Sequence, residues 1–410
     1  MVRVVPAHTR LSPDGIDFVR VSHQSILSSG FWAGTRAPVF PLLLLALRHH
    51  WGAVRVTQWL IGALCWGALA LAAASKLRTL GGRVATFVGV LALSASLQLG
   101  VWDALVIAES LSLSLMALLL AAALVVPRRW SWAGVLGLAA VGTLFVLVRD
   151  TNALVAIVIA GVIAVAVALR RAPGRALVAT GVLVAAAVAG ALSSSAGDRW
   201  LQGLHHTVRD RVLVSRDATK WFVDRGLPDA DLVRGPDGND YTRGEVFWSD
   251  PRFDAYLQWL RHDGRRALAT YALRHPSFLA RDRFTRLADT VGPRPSVQSY
   301  RLFPKARPPL GSWLNDVVWP ESPLVVWPLL GLGVAAGVAV VVVDPARRGV
   351  AAIGTACIVV GIGLAVLAAN LDTAETPRHV IVQLAMTRLG ALFAITAALE
   401  TAVVSRRGRR

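Results

Sequence analysis

The sequence predicts an all-α, polytopic membrane protein, and three observations carry that reading. The chain has 410 residues, 55% of them hydrophobic and only 17% charged, with a mean hydropathy of +0.54. A soluble chain of this length carries more charge. The apolar residues fall in blocks near twenty long, the length at which a helix crosses a bilayer core. The connectors between the blocks alternate, basic then acidic or polar, along the chain.

Taken in order, residues 1–50 are a polar opening followed by "PVFPLLLLALRHH" (38–50). That stretch is too short to cross, and its terminal basic residues suit a helix lying along the interface. Nine spans are expected, at about 53–75, 84–100, 111–127, 132–148, 152–170, 176–193, 323–343, 349–369 and 380–403. Only "VRDTN" separates 132–148 from 152–170, so a single long bent helix is the alternative there, though it exceeds the usual span. The chain thus divides into 1–50, 51–193, 194–322 and 323–410. The polar segment 194–322 has loop signals at "RGLPDADLVRGPDGND" and "VGPRPSV". Between them, apolar residues recur at helical spacing, which predicts two or three amphipathic helices broken at "HDG" and "HPS".

Orientation follows from charge. "SKLRTLGGR", "PRRWSW", "LRRAPGR", "DPARRG" and the tail "SRRGRR" are short and basic, and belong in the cytoplasm by the positive-inside rule. "VWDALVIAES", "VRDTN", the segment 194–322 and "NLDTAETPRH" then lie outside. The expectation is a multi-pass plasma-membrane protein with a cytoplasmic C-terminus and residues 1–40 and 194–322 outside. An outer N-terminal segment without a leading span is hard to deliver, so one further span is expected upstream of residue 1. An immediate in-frame stop codon upstream, with no apolar run, would refute that.

The same charge pattern excludes nucleic acid as the expected partner. The net charge is +18, but its basic residues stand where topology needs them, and anionic head groups are a sufficient partner. Cys65 and Cys357 both lie inside apolar runs, as small buried residues do, and give no disulfide framework or zinc spacing. No nucleotide-binding G-x-x-x-x-G-K-[ST] is present.

Ionisable residues gather on the outer side: Asp14 and Asp17 at the opening, Asp103 and Glu109 in "VWDALVIAESLSLSL", Arg149 and Asp150 in the next outer turn, and Glu375, Arg378 and His379 in "LDTAETPRHVIV". Each has a plain structural alternative. Asp14 in "SPDG" could cap a helix, Glu109 could be a first-turn glutamate, and Glu375, Arg378 and His379 share a helix face and could simply pair. Asp103 and Glu109 are six apart, so they meet only if a turn intervenes. If instead the loops converge, the chemistry they support is group transfer from a lipid phosphate. An acid takes the acceptor's proton, and arginines hold the departing phosphate.

At these residues the chain resembles the GT-C glycosyltransferases, multi-span enzymes that use polyprenyl-phosphate sugars, and within them the protein mannosyltransferase and aminoarabinose transferase-like group. "LSPDGIDFVRVSHQSILSSGFWAGTRAPVFPLLL" looks like the family's first outer loop, with Asp14, Phe18, Trp32, Gly34, Arg36, Pro38 and Pro41 in the matching order. "WDALVIAESLSLSL" resembles its second acidic loop, "LVRDTNAL" its later Arg-containing turn, and "AETPRHVIV" the Arg-bearing mouth of a late span. The likeness covers the order of elements and is silent over 194–322. It implies Asp14 as catalytic base, Glu109 or Asp103 as second-loop acid, and Arg378 as a phosphate ligand, with Arg36, Arg149, Glu375 and His379 lining the substrate site. It implies a polyprenyl-phosphate sugar donor and a glycan, lipid or protein acceptor. Some relatives place a divalent metal ion between outer-loop acids, and Asp14, Asp103 and Glu109 offer oxygen ligands for one. Phe18 stands where Tyr is common, and the family's first span has no counterpart here. Two other readings remain: a flippase for a lipid-linked sugar, disfavoured by spans nearly free of charge in their middles, and a non-catalytic scaffold.

Overall fold

The computed structural model describes residues 11, 13–239, 245–278, 311–371 and 376–407, and among them the structure is helical, with no strand. The first ten helices are α1 Pro13–Ser22, α2 Ser29–Trp32, α3 Val39–Ala46, α4 Trp51–Ala74, α5 Leu80–Ser94, α6 Leu97–Gly100, α7 Glu109–Val125, α8 Trp132–Val148, α9 Asn152–Ala168 and α10 Ala176–Ala196. Three long apolar helices close the chain, Pro323–Val343, Arg348–Leu371 and Ile381–Arg407.

Among the described residues five helices are long and apolar enough to cross a membrane: α4, α10 and the three that close the chain. A sixth crossing is available if α5 and the Leu97–Ala104 stretch count as one bent span. The apolar helices α7, α8 and α9 are 17 residues each, about 25 Å at 1.5 Å per residue. The chain is therefore a helical membrane protein.

Two expectations about helix continuity meet different outcomes. The stretch read as one span at 84–100 bends by 51° between α5 and the Leu97–Ala104 stretch. Irregular backbone survives at membrane depth only where other groups satisfy it, and here they do. Asn315 Oδ1 accepts from Leu97 N at 2.8 Å, and Gln58 Nε2 on α4 donates to the carbonyls of Leu105 (3.1 Å) and Trp102 (3.3 Å). The stretches 132–148 and 152–170 are two helices, because Arg149 is extended (φ −159°, ψ 130°). Asn152 closes that turn, its Nδ2 reaching Phe145 O at 2.7 Å and Ser112 Oγ on α7 at 2.8 Å.

The Ile381–Arg407 helix is the axis of the bundle: 78% of its apolar window is buried, against 28% for Pro323–Val343. Lipid tails are as apolar as leucine, so close backbone approach holds such helices together. A Cβ on Gly390 would lie 2.4 Å from Gly354 O, and one on Gly354 would lie 2.8 Å from Gly390 O. Gly390→Ala is therefore expected to force the two helices apart at a cost of about 1–3 kcal/mol. Gly363→Ala, whose Cβ would meet nothing within 4 Å, is the control. Thermal melting of both variants in detergent checks this, and equal midpoints would refute it.

The polar segment has its own hydrophobic cluster, running from Leu201 to Tyr271 and including Phe222, Phe247, Phe253 and Tyr256. Its helices are shorter and more numerous than expected, among them Arg199–Thr207, Arg216–Val223 and Asp254–Trp259. "HDG" does not break the chain of helices. Leu260–Gly264 is a π-helical turn that runs straight into Arg265–Arg274. Gly264 has helical angles (φ −56°, ψ −44°), and its missing side chain admits Leu204, whose Cδ2 lies 3.1 Å from where a Cβ would be. The helix does end before "HPS", as the proline demands.

Candidate functional site

At one end of the bundle α8 and α10 finish, and α7, α9 and the Ile381–Arg407 helix begin. α1 lies at the same end, and its first turn carries Asp14. The centre of the arrangement is Arg378, in the short Thr376–His379 helix and only 6% exposed. Its Nη2 is paired with Asp14 Oδ2, and its Nε donates to Glu109 Oε1 at 2.6 Å. Glu109, the first residue of α7, is 1% exposed and also lies 3.5 Å from Arg149 Nη2. Arg149 in turn meets His379 Nδ1 at 3.0 Å and the Arg378 carbonyl at 3.3 Å. A guanidinium has only donors, so in that contact Nδ1 of His379 accepts and the ring proton resides on Nε2.

The second half of the cluster is local to the opening segment. Arg36 Nη2 donates to Asp14 Oδ1 at 2.5 Å and to Asp17 Oδ2 at 2.7 Å. Asp14 and Asp17 are three apart on α1 and so share its face. Arg36 Nε is buried and finds no acceptor, a donor left over for a bound group. Asp14, Asp17 and Glu109 thus face Arg36, Arg149 and Arg378, with Arg20 also 3.5 Å from Asp17. Burial alone would raise the Asp14 pKa, but the attraction of Arg378 and then of Arg36 outweighs it and holds the carboxyl well below its usual range. Burial likewise opposes the charge on Arg36, and Asp14 and Asp17 more than restore it.

Asp14, Glu109, Arg36, Arg149, Arg378 and His379 therefore come together from four separate stretches of chain. Asp103 is 2% exposed and accepts from Ser110 Oγ at 2.5 Å. The turn between them, not helical spacing, brings this acid back to the start of α7. Glu375 and Asp372 lie outside the described residues. Among the described residues no three of His, Cys, Asp and Glu gather into a metal-binding group. Asp14 and Glu109 are matched by guanidiniums, which already supply the positive charge a divalent ion would bring, so the arrangement does not fit the metal that the resemblance allowed between Asp14, Asp103 and Glu109.

Two participants were not legible as such in the sequence. Asp17 stands with the outer acids but without an assigned role, although its spacing from Asp14 is the available signal. Arg199 had no signal at all. It makes a two-point contact with Asp150 (2.8 and 3.0 Å) and donates to Gly34 O at 2.9 Å and Ser193 Oγ at 3.0 Å. It ties the opening segment to the α8–α9 turn, and the chain passes so close there that a Cβ on Gly197 would lie 2.3 Å from Gly34 O. Arg199→Ala is expected to lower stability by about 1.5–3 kcal/mol, the range for charge-assisted hydrogen bonds. It should also speed proteolytic cleavage within residues 11–37, and an unchanged cleavage pattern would contradict the strut.

The spans are not wholly free of charge. Arg388, seven residues into the last helix, is 5% exposed, lies over the Trp319 ring at 4.0 Å and donates to Pro320 O at 3.2 Å. Its partners immediately precede the Pro323–Val343 helix, which keeps it near the end of the bundle.

No protein-family model matches the chain, and neither a curated protein nor a solved structure matches it. Fold and site together define a helical membrane protein with a buried carboxylate–guanidinium cluster at one end of its bundle.

Proposed function

We propose that the chain is a membrane glycosyltransferase of GT-C type, moving a sugar from a polyprenyl-phosphate donor to a cell-envelope acceptor at the outer face of the plasma membrane. In this reading the chain crosses nine times, with the carboxylate cluster outside and the basic connectors inside. The observation that carries it is Arg378, held between Asp14 of the first loop and Glu109 of the second. A carboxylate suited to act as base and a guanidinium suited to bind phosphate, from distant parts of the chain, are in contact there.

The geometry supports a specific order of events. Both Asp14 oxygens are engaged by arginines, so an incoming donor phosphate must compete for Arg378. When it takes that guanidinium, with Arg149 beside it, Oδ2 of Asp14 is released. The acceptor hydroxyl then attacks the anomeric carbon while its proton passes to Asp14. The bond from that carbon to the phosphate oxygen breaks, its electron pair leaves with the polyprenyl phosphate, and the configuration inverts. Arg378 neutralises the growing charge on the phosphate. Glu109 keeps Arg378 oriented throughout.

The test supplies the purified full chain, in lipid vesicles, with radiolabelled polyprenyl-phosphate hexoses and pentoses and a membrane extract as acceptor source. Label leaving the lipid for acceptor material supports the reading. Movement of the intact lipid-linked sugar across the vesicle wall without transfer would instead make the protein a flippase. Neither activity, in protein that retains its melting transition, leaves the scaffold.

A further inference from the structure

At the opposite end of the bundle the chain forms a cavity of about 360 Å³, lined by Lys76, Ala123, Leu124, Pro127, Gly349 and Ile353. Its walls are mostly apolar, and they come from three places: the residue group after α4, the end of α7 with Pro127, and the start of the Arg348–Leu371 helix. An apolar hollow between helix ends of a membrane protein faces acyl chains, which are the solvent there.

The charge around this hollow is mixed, with a basic excess, and the packing arranges it. Glu400, on the last helix, accepts from the backbone N–H of Arg78 at 2.5 Å and of Thr79, and from Arg347 Nε at 3.0 Å. One buried carboxylate thus draws the connector 75–79 against the connector 344–348. Asp344 is used up internally as well, by Arg347 and by Thr401 Oγ1 at 2.9 Å. Glu400 and Asp344 share the one Arg347, while Arg78 and Arg348 are exposed in the two connectors that frame the cavity and Lys76 is part of its wall, so these four basic side chains outnumber the two acids.

From this charge complementarity we infer that the cavity is a binding site for an anionic phospholipid, one acyl chain lying between α7 and the Arg348–Leu371 helix and the phosphate facing Lys76, Arg78 and Arg348. The site is independent of the chemistry at the other end. Its occupant is an annular lipid selected by charge, because a neutral chain would be held by the apolar walls alone.

Gly349 gives the test an unusually clean variant. A Cβ there would meet nothing within 4 Å, so Gly349→Phe fills the hollow without a backbone clash. Lys76→Gln removes charge and leaves the walls intact. Native mass spectrometry of the full chain, released from micelles containing phosphatidylglycerol or phosphatidylcholine, reads the lipid retained. The expected result is preferential retention of phosphatidylglycerol by the wild type. Lys76→Gln should weaken that retention about fivefold, the effect of one basic residue at an anionic surface, and leave phosphatidylcholine unaffected. Gly349→Phe should abolish it, with both variants keeping the wild-type melting midpoint. Equal retention of the two lipids by the wild type overturns the inference. So does wild-type retention of phosphatidylglycerol by either variant. Should Gly349→Phe fail to fold, the Lys76→Gln comparison decides alone.

Discussion

Arg378→Ala is expected to be the most damaging single substitution in the outer cluster, costing about 3–5 kcal/mol of stability, the range for breaking a buried ion pair from one side. The reason is what the change leaves behind. Glu109 is 1% exposed and loses its 2.6 Å partner, keeping only Arg149 at 3.5 Å. Asp14 loses one of its two arginines and keeps Arg36. The pH dependence has a definite sign. In the wild type Asp14 has a lowered pKa, with burial opposing the shift and Arg378 and Arg36 driving it. Its contribution is therefore fully present at neutral pH, persists down to the unfolded value of about 3.9, and is lost as pH falls through the lower folded value. In Arg378→Ala that contribution is already weakened at neutral pH. The gap between the two melting midpoints should thus be widest near pH 7 and narrow below about pH 4. A gap that stays constant across this range would show that Arg378 stabilises by packing and not by charge.

Asp14→Asn should remove transfer at a smaller cost in stability than Arg378→Ala, losing the contribution of the Asp14 charge but leaving no buried carboxylate short of a partner. Each arginine that Asp14 touches retains a second carboxylate, Arg378 keeping Glu109 and Arg36 keeping Asp17. No cation is left unpaired, and asparagine fills the same volume. The amide cannot take a proton from the acceptor, so kcat is expected to fall by about 10²–10⁴-fold, the usual worth of a positioned base. Donor affinity should hold or improve, since the phosphate no longer competes with a charged Asp14 for Arg378. Steady-state transfer kinetics with labelled polyprenyl-phosphate sugar separate the two constants. Transfer at the wild-type rate would remove Asp14 from the chemistry. A fall in donor affinity alone would assign it to binding. Together the two variants distinguish a residue that holds the site from one that uses it.

What could be read in the sequence follows the range of the forces involved. The apolar blocks placed the long helices to within a few residues at most ends, because the need to satisfy every backbone group in lipid acts within a single helix. The breaks were harder. Ala95 and Ser96 carry no proline or glycine to announce the bend. It is stable because Asn315 and Gln58, 218 and 47 residues from the groups they bond, supply what the helix gives up. "HDG" had the opposite history, a break signal overridden by packing against Leu204.

The outer cluster divides along the same line. The sequence by itself determined that this is a helical membrane chain, and which of its connectors carry acids and arginines, since both follow from composition and local order. Only the tertiary structure decided that Asp14, Glu109 and Arg378 are partners and that Asp17 and Arg199 belong with them. Arg378 lies 269 residues from Glu109, and nothing in either stretch encodes the other. An ion pair is specified by where two charges are carried, and in a bundle that is set by which helix ends the packing of spans brings side by side.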